Sequence, residues 1–261
     1  MINRIYHNKY ILRLFWILIL AIVWQVIALS DIFNPASFPR LETLLSSLIK
    51  DIINGDIIFQ TLYSLNLILK GLIIGLFISI ILSSLSIASK IFESFVETII
   101  AIAHPLPGIA LLPLVILWIG IGEKAIIFII IHSVIWPLVI NLMTGFSSIP
   151  KIYKKIGKNY GLSTLGNIRY IFIPASLPYF ITGLKIGWAR AWRAVISAEM
   201  VFGAVGGKGG LGWFIFKNRV FMDTTGLFGG LIVIIIIGII IEDLFFDKIE
   251  KMTIKKWGMT I

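Results

Sequence analysis

Residues 151–178 read KIYKKIGKNYGLSTLGNIRYIFIPASLP, with five basic residues and no acidic one, yet the segment is not simply polar. Ile152, Ile156, Tyr160, Leu162 and Leu165 recur at helix-like intervals around Gly157 and Gly161. That periodicity predicts a short amphipathic helix, a break, and a second helix stopped by Pro174. Such a helix either lies on a membrane surface or inserts its apolar face into a partner's groove.

The chain on both sides of this loop is strongly apolar. Of 261 residues, 58% are hydrophobic and 14% charged, with a mean hydropathy of +0.99. Soluble domains average roughly 45–50% apolar and about 25% charged, so the surplus must face lipid. This excludes a soluble enzyme, a disordered protein and a nucleic-acid-binding domain, despite a net charge of +10. With no cysteine, disulfides and thiolate chemistry are impossible.

A transmembrane helix needs about 20 mostly apolar residues. Six spans are expected, near residues 11–29, 65–89, 98–122, 125–147, 175–202 and 224–246, in one transmembrane domain covering 1–261. The first, preceded by Arg4, Lys9 and Arg13, reads as an uncleaved helix because Ala28-Leu29-Ser30 is a weak cleavage site. Gly71 and Gly75 have the i, i+4 spacing that lets helices approach closely. Pro105, Pro107 and Pro113 interrupt the third span, and Glu123-Lys124 leaves room for only a tight turn before the fourth. With the N-terminus inside, thirteen basic residues fall on inner segments and six on outer ones, which places both termini in the cytoplasm. The loop 148–174 is then cytoplasmic.

Four charged residues fall within or at the end of the fifth span: Lys185, Arg190, Arg193 and Glu199. Each central charge costs roughly 2.5–3.5 kcal/mol on insertion scales, so such residues face a partner or a wet cavity. At 100° per residue, Lys185, Trp192, Arg193 and Glu199 share one half of the helix, with Arg190 at its margin. One reading has Lys185 and Glu199 reaching opposite surfaces of the bilayer. The other has Arg190 and Arg193 lining a path that favours an anion, with Glu199 as an ion-pair partner. Trp188 and Trp192 read as packing residues or interfacial anchors. His104 and His132 have no second ligand at useful spacing, so no metal site is expected. Residues 203–209, GAVGGKG, form a glycine-rich outer loop without the Lys-Ser/Thr of a phosphate cradle. No catalytic motif of an intramembrane enzyme is present, although that class remains the alternative to transport.

The spacing of Gly161, nine residues, then Ile171-Phe172-Ile173-Pro174 resembles the cytoplasmic "EAA" loop of ABC importer permeases. Lys155-Ile156-Gly157 stands where that loop has Glu-Ala-Ala, so the acidic residue is replaced by one of opposite charge. His104-Pro105-Leu106-Pro107, Leu112-Pro113-Leu114, Trp118 through Glu123, Ala189-Arg190-Ala191-Trp192, Ala198-Glu199-Met200 and Gly210-Leu211-Gly212 resemble, in order, the nitrate/sulfonate/taurine branch of that family. The resemblance implies an all-α integral membrane protein with the MetI-like fold of type I importers. It implies a homodimer of permease chains, two cytoplasmic ABC ATPase subunits that bind ATP and magnesium, and an extracytoplasmic solute-binding protein. No cofactor belongs to the permease itself. The coupling loop would carry Lys155, Ile156, Gly157, Gly161, Ile171 and Pro174, with the docking helix at about 152–165. The solute would be nitrate-, sulfonate- or taurine-like, with a thiamine precursor as the alternative within the family.

Overall fold

In a computed structural model, residues 9–30, 32–254 and 256 are described; Arg4, His7 and Lys255 lie outside them. The elements are α1 (Lys9–Leu29), α2 (Leu41–Ile53), α3 (Asp56–Ala88), α4 (Lys90–Ala103), a 3₁₀ turn (Gly108–Leu111), α5 (Leu112–Ile119), α6 (Glu123–Ser147), α7 (Lys151–Asn159) and α8 (Thr164–Asn167). A π turn (Ile168–Phe172) leads into α9 (Ile173–Phe202), followed by α10 (Leu211–Val220), α11 (Thr224–Ile239), a second π turn (Ile240–Phe246) and α12 (Asp247–Met252). The fold is all-α; among the described residues the only β pairing is the bridge between Val205 and Lys208. That bridge closes a two-residue turn over Gly206 and Gly207, whose φ angles of +58° and +77° suit a hairpin.

Among the described residues four helices are long and apolar enough to cross a membrane: Tyr10–Leu29, Asp56–Ala88, Glu123–Ser147 and Thr224–Met252. The third expected span differs from the reading of residues 98–122. It starts at Lys90 and is a bent pair, Lys90–Ala103 and Gly108–Ile119, meeting at 86°. The break falls at Pro105 and Pro107. Pro113 does not interrupt anything, because it occupies the first turn of α5, where its missing N–H costs no hydrogen bond. The second span is longer than expected, beginning at Asp56 rather than Leu65. The expected fifth span lies within the 30 residues of α9, long enough to cross but charged at four positions.

The chain packs as two compact units. One comprises residues 1–59 and 214–233. There Trp24 of α1 stacks on Phe38 at 4.2 Å and meets Phe228 of α11 edge-on at 5.0 Å, and its Nε1 donates to the Pro39 carbonyl at 3.0 Å. Gln25 fixes the start of α2 twice, accepting from Leu41 N at 3.0 Å and donating to Glu42 at 2.9 Å.

The other unit comprises residues 60–213 and 234–261 and contains the functional candidates. Its central helix is α6, buried along most of its length. Glycines bring its neighbours close: Gly71 and Gly75 of α3 lie against Ile130 and Val134, and Gly183 of α9 against Asn141. Side chains at these positions would force the helices apart, so the spacing read from the sequence corresponds to a real crossing. On another side Val96, Ile135 and Val139 form a buried cluster with Phe92 and Ile100.

Candidate functional site

The loop after α6 begins with the amphipathic helix α7. The helix ends because Gly161 takes a φ of +66°, which L side chains rarely adopt. Leu162 N then donates back to the Gly157 carbonyl at 2.9 Å, the closing bond of a Schellman cap. Gly157 is also the point of closest approach within the loop, since a Cβ there would overlap Asn167 and lie 2.8 Å from Ile171 Cδ1. Asn167 Nδ2 donates to the Leu162 and Ser163 carbonyls at 3.2 Å each, holding the turn shut. Gly157, Gly161 and Ile171 therefore build the loop, while Lys155 and Ile156 face outward. Ile152, Tyr153 and Ile156 of α7 and Tyr160 just after it are all exposed, Tyr160 by 82%, with no apolar element over them among the described residues.

The second helix of the loop is not stopped at Pro174. The backbone runs on from α8 through the π turn into α9, because Ile173 N donates to the Ile168 carbonyl five residues back. This wider turn accommodates the proline ring and its missing donor where an α turn would clash. Ser176 Oγ donates to the Phe172 carbonyl at 2.8 Å, satisfying another group near the proline.

The second candidate lies at the broken third span. A cavity of about 300 Å³ opens between residues 104–109, α6 and α9, and His104, His132, Trp136, Arg190, Arg193 and Ser197 line it. The two arginines expected on a path are thus brought together. Arg193 Nε donates to the Ala189 carbonyl at 3.1 Å, leaving its outer nitrogens uncommitted to that bond. A second cavity of about 480 Å³ holds Lys185, Trp188, Trp192, Arg193 and Glu242. Lys185 does not simply reach for a surface; its Nζ lies 3.7 Å from Glu242 and 3.8 Å from Glu250. Trp188 and Trp192 stack on each other at 6.0 Å.

Glu199 does not join the arginines. It is 1% exposed, and Ser64 Oγ lies 2.8 Å from both of its carboxylate oxygens, donating its hydrogen to one. Gly212 N donates to Oε2 at 2.9 Å, and Leu211 N donates to Ser64 Oγ at 2.9 Å. The carboxyl group therefore caps the start of α10, accepting from an N–H that has no partner within the helix. Six residues beyond Arg193, Glu199 is displaced about 9 Å along the helix and faces elsewhere. Ser64 was not legible as a site residue, since nothing local marks a serine within an apolar run. His104 and His132, set aside for metal binding, prove to be cavity residues. Among the described residues no group of three potential metal ligands occurs.

The all-α fold, with several helices long and apolar enough to cross a membrane, defines a membrane-embedded protein. The chain belongs to the family of binding-protein-dependent transport system inner membrane components, whose pattern matches residues 71–254. It is 28% identical over 259 residues to the nitrate import permease NrtB of Synechocystis, covering 97% of this chain and 92% of that one. It is 25% identical over 229 residues to the taurine transport system permease TauC of Escherichia coli, covering 86% and 82%. With the bicarbonate transport system permease CmpB of Synechocystis it shares 29% over 214 residues, covering 79% and 76%. It is an ABC importer permease, embedded in the membrane.

Proposed function

We propose that the whole chain is one permease domain of six spans, α9 being the fifth, with both termini in the cytoplasm. Two copies related by a two-fold axis along the membrane normal form the pathway, since six helices alone make a thin one. Each copy docks on a cytoplasmic ATPase subunit, and an extracytoplasmic binding protein delivers the solute. ATP binding and hydrolysis, with magnesium, belong to the ATPase. The solute is a small anion or sulfonate-like molecule of the kind named for the relatives, and Arg190 and Arg193 face its path. The observation that carries the docking assignment is the uncovered apolar face of α7 behind the Gly161 cap. Closure of the ATPase pair would move this helix, and through the continuous π turn would move α9, biasing a two-state pathway.

The test is an affinity pull-down of the tagged chain from native membranes in mild detergent, with partners identified by mass spectrometry. A Walker-motif ATPase is expected with the native chain and expected to be lost with Gly161→Val, in which the helix end must rearrange. Recovery of the intact chain without an ATPase, under conditions that preserve a control complex, would refute the assignment.

A further inference from the structure

The cavity at the broken span has an unbalanced chemistry. Arg190 and Arg193 both line it, and no carboxylate does. Among the described residues neither arginine has a carboxylate within ion-pair distance. Trp136 Nε1, a group that can only donate, is buried without a hydrogen-bond partner. Both ring nitrogens of His132 are buried as well, and the Ala103 carbonyl beside the ring makes no well-formed bond with them. Ser133 gives its hydroxyl hydrogen to the Ile129 carbonyl at 2.9 Å, and its oxygen makes no hydrogen bond with Trp136 Nε1. Buried unpaired donors are rare enough in folded chains to need an explanation. Water could pair the N–H groups but would leave two like charges unanswered.

The backbone at this place points the same way. Residues 104–107 are non-helical between two segments meeting at 86°. Non-helical backbone at membrane depth is tolerated where it is buried in protein or lines a wet cavity. Arg190 lies 12 residues before the end of α9, about 18 Å along the axis, and so at the depth of the hydrocarbon. Pro105, Leu106, Pro107 and Ile109 supply an apolar part of the cavity wall. The neighbouring cavity lacks this imbalance, since its Lys185 is paired with Glu242 and Glu250.

We propose that this cavity is a discrete binding site for a small oxyanion, formed within the permease itself. The site takes the oxyanion head on the Arg190 and Arg193 guanidiniums and Trp136 Nε1, and a short apolar tail, where there is one, against the proline wall. This rests on the permease reading, and it adds selection by the membrane subunit to selection by the binding protein. At about 300 Å³ the cavity is at the small end of ligand pockets, which restricts it to small solutes.

The experiment uses the full-length chain in lipid nanodiscs, together with whatever ATPase co-purifies. Sodium nitrate and sodium methanesulfonate are titrated at constant ionic strength against sodium chloride, and thermal unfolding and tryptophan fluorescence are followed. Saturable stabilisation by nitrate, methanesulfonate or both is expected beyond any effect of chloride. The preferred anion tells whether the site suits a planar or a tetrahedral head. Arg190→Gln with Arg193→Gln should weaken binding at least tenfold. Should that double variant fail to fold, Arg190→Lys keeps the charge without the paired donors, and Trp136→Phe removes one N–H; each is expected to weaken binding severalfold. No saturable effect, or undiminished binding in these variants, overturns the site. Co-purification of the ATPase reports separately on the permease reading, so failure of the site leaves that reading distinguishable.

Discussion

Glu199→Ala is the most demanding test of how α9 is tied to its surroundings. The substitution removes the acceptor of the Gly212 N–H and of the Ser64 hydroxyl, both at 2.8–2.9 Å and both in the interior. A buried donor left unpaired costs about 1–3 kcal/mol. Two such donors, without full relaxation, imply a loss of roughly 2–5 kcal/mol. For a chain of this size, each kcal/mol lowers the melting temperature by about 2–4 °C, so a drop on the order of 5–15 °C is expected. Glu199→Gln should cost far less, because its amide oxygen can still accept from Gly212 N while its NH₂ donates to Ser64. Ser64→Ala removes the other half of the same network, and the double variant should cost much less than the sum of the two single changes. The assay is thermal unfolding of the purified variants in one detergent, read by intrinsic fluorescence and by size-exclusion recovery. Shifts below 2 °C for both alanine variants, or full additivity of the pair, would refute the claim that this carboxylate organises the start of α10.

Two further outcomes follow from packing and charge. Gly71→Ala places a Cβ against Ile130, with Ile130 Cβ only 2.8 Å away, so overpacking of about 1–3 kcal/mol is expected, with partial rescue by Ile130→Ala in a thermal-shift comparison. Asp51 of α2 has its pKa raised above the ordinary 3.8, first by burial and then by the charges of Asp223 and Asp56. A raised carboxylate binds its proton more tightly when folded, so its contribution is most favourable below pH 3.8 and is lost as pH rises through the raised value. Asp51→Asn should therefore be neutral or slightly stabilising at pH 7, with the difference from the native chain vanishing toward pH 4 in unfolding scans. A clear destabilisation at pH 7 would show that the carboxylate is favourably held.

How much of this was legible in the sequence differs by residue, and the reasons are physical. Gly71 and Gly75 announced a helix crossing because small residues at i, i+4 have few other uses inside a long apolar helix. Gly161 announced a helix end because a glycine after an amphipathic turn is the residue that tolerates positive φ. Pro174 misled: a proline normally ends a helix, but the preceding π turn removes the clash and lets the loop continue into the span. Pro105, Pro107 and Pro113 looked alike in sequence, yet two sit at the break and one starts a helix, a distinction set by where the chain turns.

The sequence by itself determined the class: a lipid-facing, all-α chain with a basic, glycine-punctuated loop and charges placed in a span. Those properties depend on composition and on spacings of a few residues, which are local. Only the tertiary structure decided which charges keep company. Angular position on one helix allowed Glu199 either to pair with the arginines or to reach a bilayer surface, whereas its partner Ser64 lies 135 residues away in the chain. His104 joins His132, Trp136, Arg190 and Arg193 around one cavity because a broken span folds back against α6 and α9. Burial supplies the reason: a polar group removed from water must find its partner in three dimensions, and helical periodicity carries no information about what the neighbouring helix presents.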